Sequence, residues 1–265
     1  MPRPLIGVVF YGIPRSGEYT FKSIQANILE PAMAMGRVCV RYHFYRQKEI
    51  DNPRSGERGP IPLSDYKPYE AFEGILESPG AVDNAFDLKK IYSHGDPWKD
   101  GFKSMRNFLM QLHSLSSATR QVMDESPDIV IFARPDLLYH HSMRSVLEKA
   151  LRQSQFSIAR IPSWQWSWGY NDRFAICSSQ ATQWYGLREN LVEEYLSVVG
   201  GPLHSEGLLK YCLDRSLCSV KPFNATASRV RINGTMVREG FKPVRGAKLL
   251  RFKAKEACKY LVKFL

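Results

Sequence analysis

An α/β fold with a mostly parallel central sheet is predicted by three features of the sequence. Leu5 to Tyr11 (LIGVVFY) and Ile129 to Phe132 (IVIF) are unbroken apolar runs, the pattern of strands covered on both faces. Phe102 to Met123 carries Met105, Phe108, Leu109, Leu112, Leu115 and Val122 on one helical stripe and leads straight into the second run, which makes an αβ unit. At 265 residues and 44% hydrophobic, the chain can bury one packed core. We divide it into a single domain, residues 1–244, and a basic amphipathic C-terminal helix, residues 245–265.

The elements follow in order. After the first strand, Gly12 to Gly17 form a loop with Arg15, at the place where α/β domains meet phosphate groups. Tyr19 to Met35 is helical by the spacing of Phe21, Ile24, Ile28 and Leu29, and Gly36 stops it. Val38 to Tyr45 alternates as a second strand, and His43 within it reads as structural. Arg46 to Pro68 is a long polar loop, and the segments at 69–76 and 83–92 are short elements of undecided type. His94 and Asp96 are metal ligands by type only, with no partners at ligand spacing.

Past the central strand, 142–153 reads as a helix and 156–161 as a strand. Phe174 to Cys177 is a strand, and helices occupy 179–185, 187–199 and 207–213. Late strands are expected at 219–223 and 230–237. Trp164, Trp166 and Trp168 stand at period two, so an extended segment would point them to one side. Beside Asn171 and Asp172 they read as core or, alternatively, as a floor for a sugar ring, since apolar sugar faces stack on aromatics. Ser205 and Glu206 suit a helix start, Ser205 as cap and Glu206 at the positive end of the dipole.

The net charge of +11 calls for an anionic partner: a nucleotide diphosphate, an anionic membrane surface or nucleic acid. No helix-turn-helix, RNP or zinc-finger signature is present, so no nucleic acid is expected. The five cysteines are scattered and odd in number, which suggests reduced thiols in the cytoplasm. No apolar segment has the length of a membrane span. The terminal RGAKLLRFKAKEACKYLVKFL mixes lysines with leucines and aromatics, the pattern of a helix that lies peripherally on a membrane. The alternative is a terminal helix docked on the core with its lysines in water.

The chemistry centres on Arg134, Pro135 and Asp136. Pro135 cannot continue a central strand, so Asp136 sits just past the carboxyl end of a buried one, where open α/β sheets hold their ligands. This strand end, the turn NDRF (171–174) and the HSE helix start (204–206) together resemble the nucleotide-sugar glycosyltransferases of the GT-A fold. The resemblance covers roughly residues 5–237 and implies a GT-A-like, Rossmann-like sheet. It implies a hexosyl- or pentosyltransferase that moves a sugar from a nucleoside-diphosphate sugar to a hydroxyl of a glycan or lipid-linked glycan, as in polysaccharide biosynthesis or glycosylation. Family members carry Asp-x-Asp at this point to hold a manganese or magnesium ion on the donor diphosphate. Here the first carboxylate is replaced by Arg134, so either Asp136 alone is the metal ligand or Arg134 stands in for the metal.

The resemblance further implies donor contacts from Gly12, Arg15, Arg106, Arg134 and Asp136. It assigns acceptor contacts to Trp166, Trp168, Asn171 and His204, and a catalytic base to Asp172 or Glu206, with Asp172 preferred. A retaining enzyme would need no such base. Asp136→Ala is expected to abolish activity and leave the fold intact. The alternative is a non-catalytic carbohydrate- or nucleotide-binding module of the same fold.

Overall fold

A computed structural model describes residues 3–262, with side chains as far as Cys258. In chain order, β1 (Leu5–Gly12) leads into α1 (Gly17–Ile24), which passes through a π turn (Gln25–Leu29) into α2 (Glu30–Met35). Then come β2 (Arg37–Tyr45), the pair β3 (Glu49–Asn52) and β4 (Glu57–Pro60), β5 (Glu73–Glu77), and the short helices α3 (Val82–Ala85) and α4 (Leu88–Ser93). The long α5 (Lys103–Met123) precedes β6 (Ile129–Ala133), β7 (Leu137–Tyr139) and α6 (Arg144–Leu151). β8 (Ile158–Pro162), β9 (Ala175–Ser178), α7 (Ser179–Gly186), α8 (Val192–Val199), α9 (Ser205–Arg215), β10 (Ser219–Phe223), β11 (Ala227–Arg229) and α10 (Gly246–Val262) complete the chain.

The predicted sheet is present. Seven strands run in the order β10-β8-β9-β6-β1-β2-β5. β9 is antiparallel to both its neighbours, β6 and β8, and the other pairs are parallel. The two apolar runs are adjacent strands at its centre, Ile6 opposite Ile129 and Phe10 opposite Ala133. Their alternation serves two cores. Ile6, Val8, Phe10, Ile129 and Ile131 pack with Ile24, Ile28 and Leu147 on one face. Val9, Tyr11, Val130 and Phe132 pack with Leu115, Ala118 and Val122 of α5 on the other. Each such fully buried side chain contributes about 1.5–3 kcal/mol, which is why the two most apolar runs take the centre.

Several expectations are revised. The first helix is interrupted because Pro31 has no N–H to give; the π turn absorbs the break, with the Glu30 N–H bonding back to the Gln25 carbonyl. The polar loop at 46–68 contains the antiparallel pair β3–β4. The expected strand at 230–237 is not one: it is a turn tied by a single bridge between Val230 and Met236, and β11 precedes it, paired with β7. Asp96 closes its own loop, its carboxylate accepting from the backbone N–H groups of Trp98, Asp100 and Phe102 at 2.9–3.1 Å.

The basic helix α10 docks on the β10 edge. The Glu256 carboxylate accepts the Val220 N–H at 2.7 Å, covering an edge-strand donor. Phe252 packs edge-on to Trp166 at 5.2 Å, and Lys255 pairs with Asp214. These contacts use part of the apolar face that membrane binding would need, while Leu250 stays exposed. Lys263 to Leu265, and the side chains of residues 259–262, lie outside the described residues. No helix among the described residues is long and apolar enough to cross a membrane.

Candidate functional site

A cleft of about 560 Å³ opens at the carboxyl ends of β1, β2 and β6. Parallel pairing brings these three strand ends to one edge of the sheet, so Tyr11, Gly12, Tyr45, Arg134 and Asp136 all line it. α5 supplies Asn107 and Gln111, and β3 with the turn after it supplies Asp51 and Arg54. Trp168, Asp172, His204 and Glu206 also line the cleft. Gly12 has φ +103°, a left-handed conformation in which a side chain is strained, and its N–H donates to Ser114 Oγ at 2.7 Å.

Asp136 lies where the apolar run predicted, and it is almost fully buried. Arg134 grips it as a fork, Nε to Oδ1 at 2.9 Å and Nη2 to Oδ2 at 2.8 Å. Arg15 Nη2 reaches the same Oδ2 at 2.9 Å. Arg15 also pairs with Glu57 at 3.0 Å, and Glu57 pairs with Arg231 at 2.8 Å. Burial alone would raise the Asp136 pKa; the charges of Arg134 and Arg15 outweigh it and hold the carboxyl far below the usual range. Three arginines share two carboxylates here. A second knot has the same surplus: Arg173 and Arg229 meet the single carboxylate of Glu239 at 2.7 and 3.0 Å. Burial opposes its ionisation, but the bond and charge from Arg173 bring Glu239 down to about 2. Each knot retains one net positive charge at the cleft wall.

This geometry does not suit a divalent ion on Asp136. Its oxygens already accept three N–H bonds, and a cation placed there would stand against two guanidinium groups. Arg134 and Arg15 occupy the carboxylate instead. The knot also changes the outcome expected for Asp136→Ala: deleting the carboxylate strands the buried Arg134 and leaves Arg15 with Glu57 alone, which costs stability as well as function.

The surroundings of Glu206 are built differently. Glu206 lies in the first turn of α9, which begins at Ser205, so His204 and not Ser205 is the capping residue. Glu206 Oε2 accepts the Trp168 N–H at 3.2 Å, and burial, with the charge of Asp172 adding, raises its pKa. Gly169 allows this approach: a Cβ there would lie 1.8 Å from the Glu206 carbonyl oxygen. His204 is held neutral by burial, which lowers its pKa, and its ring lies 5.7 Å from that of Trp168.

Three assigned residues lie elsewhere. Arg106 turns away from the cleft to Asp83, at 2.8 Å, because the stripe that buries α5 leaves it on the opposite side. Trp166 is core, its indole N–H bonded to the Pro162 carbonyl at 2.6 Å. Asn171 is buried and serves the backbone: its amide donates to the Trp164 carbonyl and accepts the Arg173 N–H, both at 3.0 Å. The tryptophans do not share a side, because Gln165 at φ +54° breaks the extended run; Trp164 enters one core and Trp166 the other, and Trp168 is 77% exposed at the cleft. Sequence reading missed Glu57, Glu239 and Arg173 as parts of the knots. Arg229 and Arg231, alternating in a late segment, were the available signal.

No family model and no curated protein matches the sequence. Among solved structures, the chain is similar to mouse xyloside xylosyltransferase 1, apo form, at 11% identity over 84% of this chain and 86% of that one, with a TM-score of 0.46. What the cleft can do is therefore read from its own side chains.

Proposed function

We propose that the cleft transfers a sugar from a nucleoside-diphosphate sugar to an acceptor hydroxyl on a glycan or lipid-linked glycan, in the manner of a GT-A-like glycosyltransferase. The observation that carries this reading is a cleft lining that holds both an arginine cluster, the arginine wall, and the carboxylates of Glu206 and Asp172, the carboxylate wall. The arginine wall, with Arg15, Arg134, Arg173, Arg229 and Arg231, suits a diphosphate, whose negative charge grows as its bond to the sugar breaks. No step needs a metal on Asp136. The carboxylate wall suits the incoming acceptor: the hydroxyl oxygen bonds to the anomeric carbon while its proton passes to Glu206 or Asp172. Burial raises the Glu206 pKa, which suits a proton acceptor, and Trp168 offers an exposed aromatic face for the acceptor sugar.

One observation favours a second reading, a non-catalytic binder of nucleotides or carbohydrates. Both arginines nearest the strand end are already paired with carboxylates, which leaves them fewer donors for a leaving group. Hydrolysis of a panel of nucleotide sugars, with manganese and with chelator, separates the two. Slow donor hydrolysis in chelator supports transfer; tight nucleotide binding with no turnover of any donor supports the binder.

A further inference from the structure

Behind the cleft, His43 of β2, Glu77 at the end of β5 and His113 of α5 meet. We propose that these three side chains bind one zinc ion that fastens the edge of the sheet. Nε2 of His43 and Nε2 of His113 lie 3.0 and 3.2 Å from the same oxygen, Oε2 of Glu77. Imidazole and carboxylate ligands held at about 2.0–2.2 Å on a tetrahedral zinc stand roughly 3.3 Å apart, so both measured edges are close to those of a coordination shell. One ligand atom from each residue falls within 4.8 Å of the others.

The surroundings fit a cation. In a chain of net charge +11, Glu77 has only the two histidines as ion partners among the described residues. A second carboxylate, Glu189, stands 3.7 Å from Nδ1 of His113, on the ring atom opposite the proposed ligand. That is the position from which a carboxylate orients a metal-bound imidazole. His43 is buried, whereas Glu77 is one-third exposed, which gives an ion a way in and leaves a fourth position for water.

The site also answers a mechanical need. β5 is the edge strand and has no buried residue; Ile75 and Leu76 are exposed at 45% and 39%. Its last residue is Glu77. An ion shared by Glu77, His43 and His113 would join this edge to β2 and α5, beside Tyr45 and Gln111 of the cleft wall. The inference is independent of glycosyl transfer, and its test reads no activity.

The full-length protein, stripped with chelator, is titrated with zinc by calorimetry and with cobalt by visible absorption, and its unfolding temperature is followed. One equivalent of zinc binds and raises the unfolding temperature, and cobalt gives the absorption bands of a four- or five-coordinate nitrogen and oxygen site. His43→Ala risks unfolding a buried strand, so Glu77→Gln and His113→Ala carry the test; each weakens zinc binding at least tenfold. Glu189→Gln weakens it by about 10–100-fold, as expected of an orienting carboxylate. Absence of zinc uptake by the wild-type protein, or uptake unchanged in both Glu77→Gln and His113→Ala, overturns the proposal.

Discussion

The two walls of the cleft hold charge by opposite means. On one, two carboxylates are bound by arginines and pushed toward permanent ionisation: Asp136 by Arg134 and Arg15, Glu239 by Arg173 and Arg229. On the other, Glu206 accepts a backbone N–H and feels Arg173 and Lys248 only at a distance, and burial raises its pKa. The first wall offers fixed charge that does not titrate near neutral pH, which is what a departing diphosphate requires. The second offers a carboxylate that can take a proton and release it. One polar cleft thus separates charge stabilisation from proton transfer by the company each carboxylate keeps.

The largest effect tests the fixed wall. Asp136→Ala should abolish turnover and cost about 3–5 kcal/mol in urea unfolding, since it leaves the buried Arg134 without its counter-charge and Arg15 with Glu57 alone. Wild-type stability would mean that the knot does not hold the strand end. The pH sign follows from the lowered Asp136 pKa. An unfolded aspartate titrates near about 3.9, so the stability that ionised Asp136 contributes is complete above that pH and is lost as pH falls through the folded value. Asp136→Asn should therefore flatten the acid limb of the stability curve.

The next effect tests the titrating wall. Glu206→Gln should lower kcat by about 10²–10⁴-fold and remove the acid limb of the rate profile. In the wild type that limb should lie above the ordinary glutamate value of about 4.3, because burial raises the Glu206 pKa and the base must be deprotonated to act. An unmoved limb in Glu206→Gln would transfer the role to Asp172. Trp168→Ala should raise the acceptor KM by roughly tenfold and spare both stability and kcat, as removal of an exposed stacking surface does. Smallest of all, Arg106→Ala should leave donor kinetics unchanged and cost about 0.2–1 kcal/mol, the range of a surface ion pair.

The same contrast marks what could be read in the sequence. LIGVVFY and IVIF became adjacent central strands because unbroken apolar runs leave few other places for a strand, and Pro135 fixed where the second one stops. That located Asp136, Arg134 and Arg15. The rest of the knot was not legible: Glu57 comes from β4 and its partner Arg231 from a late turn, 174 residues apart, and no local pattern encodes such a meeting. The tryptophan segment misled because period two implies one side only if the backbone stays extended, and Gln165 does not. His43 looked solitary because Glu77 and His113 reach it from a neighbouring strand and from the helix packed on the sheet.

Calorimetric titration with a panel of nucleoside diphosphates, in chelator and then with manganese, addresses the arginine wall most directly. Binding that persists in chelator and falls at least tenfold in Arg231→Ala is the expected result. Binding that appears only with manganese and vanishes in Asp136→Asn would contradict it, and would return the strand-end carboxylate to the role of metal ligand.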